Sequence, residues 1–236
     1  MAENTQTRKD RLAAQVRSDV LTLKLAPGAD LDEAQLCAEY DLSRTPLREV
    51  FRDLAGEGYL SLRTNRGVRV ADLSHTTLRA FFQAAPMIYC AVLQLAAHNA
   101  TAPQIDALKI TQAEFRTALR SGSVADRSLA NNRFHAVTGE MADSIYLLPS
   151  YNRLLIDHAR IAMTFYSPQN EPMRERLTQA ADQHDAIIAA IEARDADTAG
   201  QLALDHWQLS RSEIESFVMP SGLDAPLGSF PDKRPA

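Results

Sequence analysis

Six histidines stand in this chain, and three of them have the spacing of a metal-binding set. Asn131 and His135, within LANNRFHAV, are four residues apart, so on a helix they share one face. His184 and His206 each lie eleven residues from Asp195, where the pattern breaks between two helical segments. An antiparallel hairpin folded at that break brings both to similar height. Three imidazoles and one oxygen from facing helices form a workable cage for a first-row divalent ion. The plainer reading competes with this one: helical histidines more often cap, pair or face solvent, and His75, His98 and His158 are present as well. A three-histidine site with an open position could also activate water, which would make an enzyme. Against that, the chain has no HExxH pattern, and Asp157, Asp182, Asp185 and Asp205 are uncommitted acids with no clear place as a general base.

A second group of residues suits DNA. From Leu31 to Val70 the chain reads LDEAQLCAEYDLSRTPLREVFRDLAGEGYLSLRTNRGVRV. A short helix (Asp32 to Tyr40), a turn at Asp41-Leu42-Ser43 and a second helix (Arg44 to Gly56) lead to two strand-like runs around Asn65-Arg66-Gly67. That order predicts a winged helix-turn-helix. Leu47, Val50, Phe51 and Leu54 make the buried stripe of the second helix, while Arg44, Thr45, Arg48 and Arg52 fall off it. The first turn of such a helix reaches base edges, where arginine can bind guanine with two parallel hydrogen bonds. Ser43, as N-cap, and Thr45 offer hydroxyls to a phosphate oxygen, and Pro46 is tolerated in the first turn. Arg66 and Gly67 at the wing tip complete the set expected to touch DNA.

The elements that position these groups can be read outward from there. Arg8 to Leu25 is helical and ends at Pro27-Gly28, giving a winged-helix domain over residues 8–72 with a short linker at Asp72-Leu73-Ser74. From Thr76 every segment reads helical: Thr76–Asn99, Ala102–Ser121, Val124–Met141, Ser150–Tyr166, Glu171–Arg194 and Asp197–Phe217. The fold class is mainly α, with a small β-wing and an all-helical bundle over residues 75–218. Pro86 is expected to kink or divide the first bundle helix. Residues 219–236 are rich in Pro and Gly without periodicity and read as a disordered tail.

Composition sets bounds. The chain has 236 residues and a net charge of −5. Acidity argues against a nucleic-acid partner until its distribution is seen. From Ser43 to Val70 six arginines face only Glu49, Asp53 and Glu57, so the basic surface is local. Cys37 and Cys90 fall in different domains and suit packing better than a disulfide. The polar N-terminus carries no signal peptide, and no apolar run is long enough to span a membrane, so the cytoplasm is expected.

The DNA-reading segment resembles the N-terminal domain of the GntR family of bacterial transcription regulators. The resemblance is carried by Leu36-Cys37-Ala38, Ser43-Arg44-Thr45-Pro46-Leu47-Arg48-Glu49-Val50, Leu54, Glu57-Gly58 and Arg66-Gly67. It implies that Ser43, Arg44, Thr45, Arg48, Arg66 and Gly67 contact double-stranded operator DNA, in a homodimer matched to a pseudo-palindromic site. Some relatives add an arginine on the preceding helix, where this chain has Ala34. The helical bundle resembles the FCD domain of the FadR subfamily, extending the likeness to about residues 10–218.

That second likeness implies a divalent metal held by Asp and three His. Here Asn131, His135, His184 and His206 stand in those places, with Asn131 where the family has Asp. Zn is the first expectation, with Ni or another divalent ion as the alternative. The neutral amide should weaken metal binding and leave an extra positive charge for an anionic effector, a small carboxylate being typical of the subfamily. Relatives often carry Arg, then Glu four residues on, in the first bundle helix; Ala85 and Tyr89 replace them here. Arg79, Arg133 and Arg160 are the substitutes considered for effector binding. The leading expectation is a ligand-responsive transcription regulator and not an enzyme, with a metal-dependent enzyme or a metal sensor as alternatives.

Overall fold

The computed structural model describes residues 4–63 and 67–218. Ser43 is in extended backbone, and from Arg44 the chain becomes helical. Numbered in chain order, this is α3 (Arg44–Glu57), preceded by α1 (Thr5–Leu21) and α2 (Glu33–Tyr40). Leu47, Val50, Phe51 and Leu54 are its buried face, as their three- and four-residue spacing predicts. Gly58 ends the helix at φ +98, a conformation costly to any residue with a Cβ. Asp32 caps α2 by accepting hydrogen bonds from the backbone N–H groups of Ala34 and Gln35. The first helix ends at Leu21, four residues earlier than expected, because Leu23 turns left-handed at φ +58 and the Thr22 hydroxyl bonds back to the Ser18 carbonyl.

β1 (Leu60–Arg63) and β2 (Gly67–Val70) pair antiparallel, Leu60 opposite Val70 and Arg63 opposite Gly67. Gly67 has φ +76, a conformation that favours glycine. Arg66 and the 219–236 tail lie outside the described residues. Leu60, Val68 and Val70 point inward and join the α1–α3 core.

The remaining described residues form α4 (His75–Asn99), α5 (Ala102–Ser121), α6 (Val124–Met141), α7 (Leu148–Phe165), α8 (Glu171–Glu192) and α9 (Ala196–Val218). Pro86 does not divide α4. Proline removes only one N–H bond, and the helix is gripped on both sides of it by buried Phe81, Ala85, Tyr89, Val92 and Leu93. By length and composition α4 could cross a membrane, contrary to the sequence-based expectation. Its apolar content has a different use: it is the central element of the bundle core, packed chiefly against α9. The capping boxes at Thr101 with Gln104 and Ser123 with Asp126 start α5 and α6 sharply.

The two halves share a core. Ile156 and Ala159 of α7 belong to the same buried cluster as Leu12, Phe51 and Leu54 of the winged helix. Gly58 faces the Arg153 side chain so closely that an added Cβ would collide with it. Asp157, 4% exposed, accepts hydrogen bonds from Arg153 (2.8 Å) and Arg160 (3.0 Å).

Candidate functional site

The start of α3 presents a basic, exposed edge. Ser43, Arg44, Thr45 and Arg48 are all exposed. Ser43 holds the N-cap position, but its side chain makes no cap hydrogen bond. The hydroxyl and the free N–H groups of the helix start are thus left to an outside acceptor. Arg48 Nε lies 3.3 Å from Glu33 Oε2, a solvent-exposed pair that costs little to exchange for a phosphate or base. Arg69 is held to Asp30 at 3.0 Å, which steadies the base of the wing.

The second site lies inside the bundle. Asn131 and His135 on α6, His184 on α8 and His206 on α9 are all buried. One ligand atom from each of the three histidines falls within 4.8 Å of the other two, so the structure brings together the residues that spacing grouped. His184 Nε2 and His206 Nε2 are 3.3 Å apart. The His184 ring stacks on Phe134, centroids 3.7 Å apart and nearly parallel, which fixes its plane. On their far sides, His184 Nδ1 meets Gln112 Oε1 at 3.0 Å and His206 Nδ1 meets Gln183 Oε1 at 2.9 Å.

Burial dominates the electrostatics. Desolvation holds His135 and His184 well below the ordinary imidazole value, with neighbouring histidines adding to the effect. His206 is lowered to about 3 and His158 to about 4, again chiefly by burial. All four imidazoles are neutral at pH 7, the form that donates a lone pair to a metal. Two buried polar atoms at the site, Asn131 Oδ1 and His135 Nε2, have no hydrogen-bond partner among the described residues. Buried polar atoms without partners are costly, and a cation at the centre of this donor set would satisfy both. The residues therefore fit a divalent metal.

Several residues at the site were not grouped with it from sequence. His158 of α7 accepts or donates at Nδ1 to the Tyr89 hydroxyl, 3.0 Å away, and both line a cavity with His135, His206, Tyr151 and Trp207. His158 had no signal beyond being a lone helical histidine; Tyr89 had one, since it stands where relatives carry Glu. Gln112 had none. The cavity is about 20 Å³, room for roughly one water or ion.

Arg79, Arg133 and Arg160 do not line this cavity. Arg79 is exposed on α4. Arg133 is two residues from both Asn131 and His135, which puts it on the opposite side of α6, where it pairs with Glu114 at 3.2 Å. Arg160, two residues beyond His158, likewise turns the other way and is spent on Asp157 and the Ala71 carbonyl.

A winged helix with an exposed basic recognition edge, joined to a helical bundle enclosing a donor-lined cavity, defines a ligand-responsive class of DNA-binding regulator. Residues 8–70 match the family model described as bacterial regulatory proteins, gntR family, and residues 81–209 match the FCD domain. The chain belongs to the GntR family and carries an FCD domain: it is a DNA-binding transcriptional regulator, not an enzyme. It is 26% identical over 204 residues to the HTH-type transcriptional repressor RspR of Escherichia coli strain K12, covering 86% of this chain and 87% of that one. It is 29% identical over 213 residues to the probable D-xylose utilization operon transcriptional repressor of Paenarthrobacter nicotinovorans, covering 87% and 89%. Among solved structures, E. coli McbR/YncC shares the fold with a TM-score of 0.74 at 16% identity, over 92% of this chain and all of that one. A GntR-type regulator from Rhodococcus sp. RHA1 aligns with a TM-score of 0.65 at 18% identity, over 91% of this chain and all of that one.

Proposed function

We propose that this regulator holds a divalent metal, Zn²⁺ in the first place, between Asn131, His135, His184 and His206. The observation that carries the reading is the buried donor set: three neutral imidazoles converge on one point, with Asn131 Oδ1 and His135 Nε2 left unpartnered. Bound there, the metal supplies positive charge, and the neutral Asn131 cancels none of it. A small carboxylate or other anion is then the favoured effector. Arg79, Arg133 and Arg160 do not line the cavity, so an effector that engages them would do so outside it.

The rest of the proposal concerns DNA. Ser43, Arg44, Thr45 and Arg48, together with Arg66 and Gly67 of the wing, contact operator DNA from a homodimer of the FadR subfamily type, in the cytoplasm. Repression is the proposed mode, since RspR and the D-xylose operon protein are named as repressors. A change of α7 position on effector binding would alter the winged helix that shares its core.

A second reading has one observation in its favour. The cavity has room for little beyond an ion or a water, which suits a metal that is itself the signal. Fluorescence anisotropy of a labelled operator, with metal-stripped protein titrated with Zn²⁺ and then with small carboxylates, separates the two. Operator release on Zn²⁺ alone favours the sensor. Release only when a carboxylate follows Zn²⁺ favours the effector reading. Failure of stripped protein to take up any divalent ion in calorimetry would sink both.

A further inference from the structure

Gln112 has a fully assigned amide. Its Nε2 donates to the Ala181 carbonyl at 2.7 Å and to Asp185 Oδ1 at 2.8 Å, which uses both amide hydrogens. Its Oε1 is thereby the atom facing His184 Nδ1 at 3.0 Å, and an amide oxygen can only accept. The hydrogen must sit on His184 Nδ1. A neutral imidazole has one N–H, so His184 Nε2 is a bare lone pair. His206 Nδ1 lies 2.9 Å from Gln183 Oε1, and this contact sets the same tautomer at His206 with the amide oxygen facing the ring.

The consequence is specific. His184 Nε2 and His206 Nε2 face each other at 3.3 Å, near enough for a hydrogen bond if either carried a hydrogen. Were His184 to switch tautomer, its Nε2–H would donate to His206 and close the site to a cation. We infer that Gln112 and Gln183 are positioning residues that hold His184 and His206 as Nδ1–H tautomers, so that both Nε2 lone pairs point at one cation. This rests on the metal reading above. The support for Gln112 extends to the surface: Asp185 is itself ion-paired to Arg116, which also binds Asp182 at 2.8 Å. The metal ligand is thus oriented by a chain from Arg116 through Asp185 and Gln112 to His184.

The test reads tautomers directly. Long-range ¹H–¹⁵N correlation NMR of metal-stripped protein at pH 7.5 should show Nδ1–H forms for both His184 and His206. In Gln112→Leu, His184 should switch to Nε2–H, and Zn²⁺ affinity by calorimetry should fall by roughly 10–100-fold. The exchange Gln112→Glu with Asp185→Asn keeps an acceptor toward His184 and a donor from residue 185, while the Ala181 carbonyl loses its donor, so it should restore the Nδ1–H tautomer and part of the affinity. Gln183→Met gives the parallel reading at His206 if the Leu variant does not fold. An Nε2–H form of His184 in the parent protein, or an unchanged tautomer and affinity in both single variants, would overturn the inference. Correct tautomers in a protein that takes up no Zn²⁺ would uphold tautomer control and instead remove the metal reading.

Discussion

Arg160 Nη2 donates a hydrogen bond to the Ala71 carbonyl at 2.7 Å, joining α7 to the residue that leaves the wing. Arg160 is buried, and Asp157 beside it is buried too. Burial pushes the Asp157 carboxyl up and the Arg160 guanidinium down, in spite of their mutual attraction. One turn of α7 thus carries His158 toward the cavity and Asp157 and Arg160 toward the winged helix. Arg160→Met should destabilise the protein by about 3 kcal/mol, the low end for breaking a buried pair, because Arg153 still serves Asp157. Urea unfolding followed separately by tryptophan fluorescence and by winged-helix NMR signals checks it; Trp207 reports the bundle. A single coincident transition at unchanged midpoint would show that this bond does not join the two halves.

Arg44→Ala and Arg48→Ala should each weaken operator binding by roughly 1–3 kcal/mol, the worth of a bidentate base contact. Both side chains are exposed and neither supports the core, so circular dichroism and melting temperature should stay unchanged. Loss of the exposed Arg48–Glu33 pair should matter little to stability. Operator affinity at fixed salt that matches the parent protein would take α3 out of its recognition role.

The metal-free protein should lose stability as pH falls below about 6.5. His158 and His206 are held near 4 and 3 in the fold, so the unfolded chain takes up protons that the folded chain refuses. The stability is fully present above pH 6.5 and declines down to the folded values. The slope is roughly 1 kcal/mol per pH unit for each histidine. Chemical denaturation between pH 7.5 and 5 measures it, and His158→Phe should flatten the slope. A profile independent of pH over that range would contradict the buried-neutral assignment.

Asn131→Asp should raise Zn²⁺ affinity, since it supplies a charged oxygen where a neutral one now stands without a partner. The same change should weaken any anionic effector, because the added carboxylate cancels charge at the site. Calorimetry of stripped protein reads the first effect and operator release the second. Equal Zn²⁺ affinity in the two proteins would mean that residue 131 does not reach the metal.

Much of this protein is legible in its sequence because the signals are local. Apolar spacing in α3, the turn at Asp41-Leu42-Ser43 and the strand-forming residues of the wing each act over a few residues, and together they specify a winged helix without reference to distant contacts. Asn131 and His135 share a face for the same reason, and the break near Asp195 sets His184 and His206 at matching height. The six bundle helices follow from periodicity alone, to within a few residues at their ends.

What tertiary structure decided is everything that depends on which helix faces meet. Arg133 and Arg160 look equivalent to any other cation in the chain, yet each sits two residues from a cavity-facing side chain and so points away from it. His158 and Gln112 are isolated in sequence, and with Tyr89 they become part of the site only when α4, α5 and α7 close around α6, α8 and α9. Phe81, Ala85, Tyr89, Val92 and Leu93 of α4 become core only when the other bundle helices pack against that face. Alternation and capping are short-range and survive in a string of letters; cavity lining, tautomer and burial are set by side chains that lie tens of residues apart, and they exist only once the chain has packed.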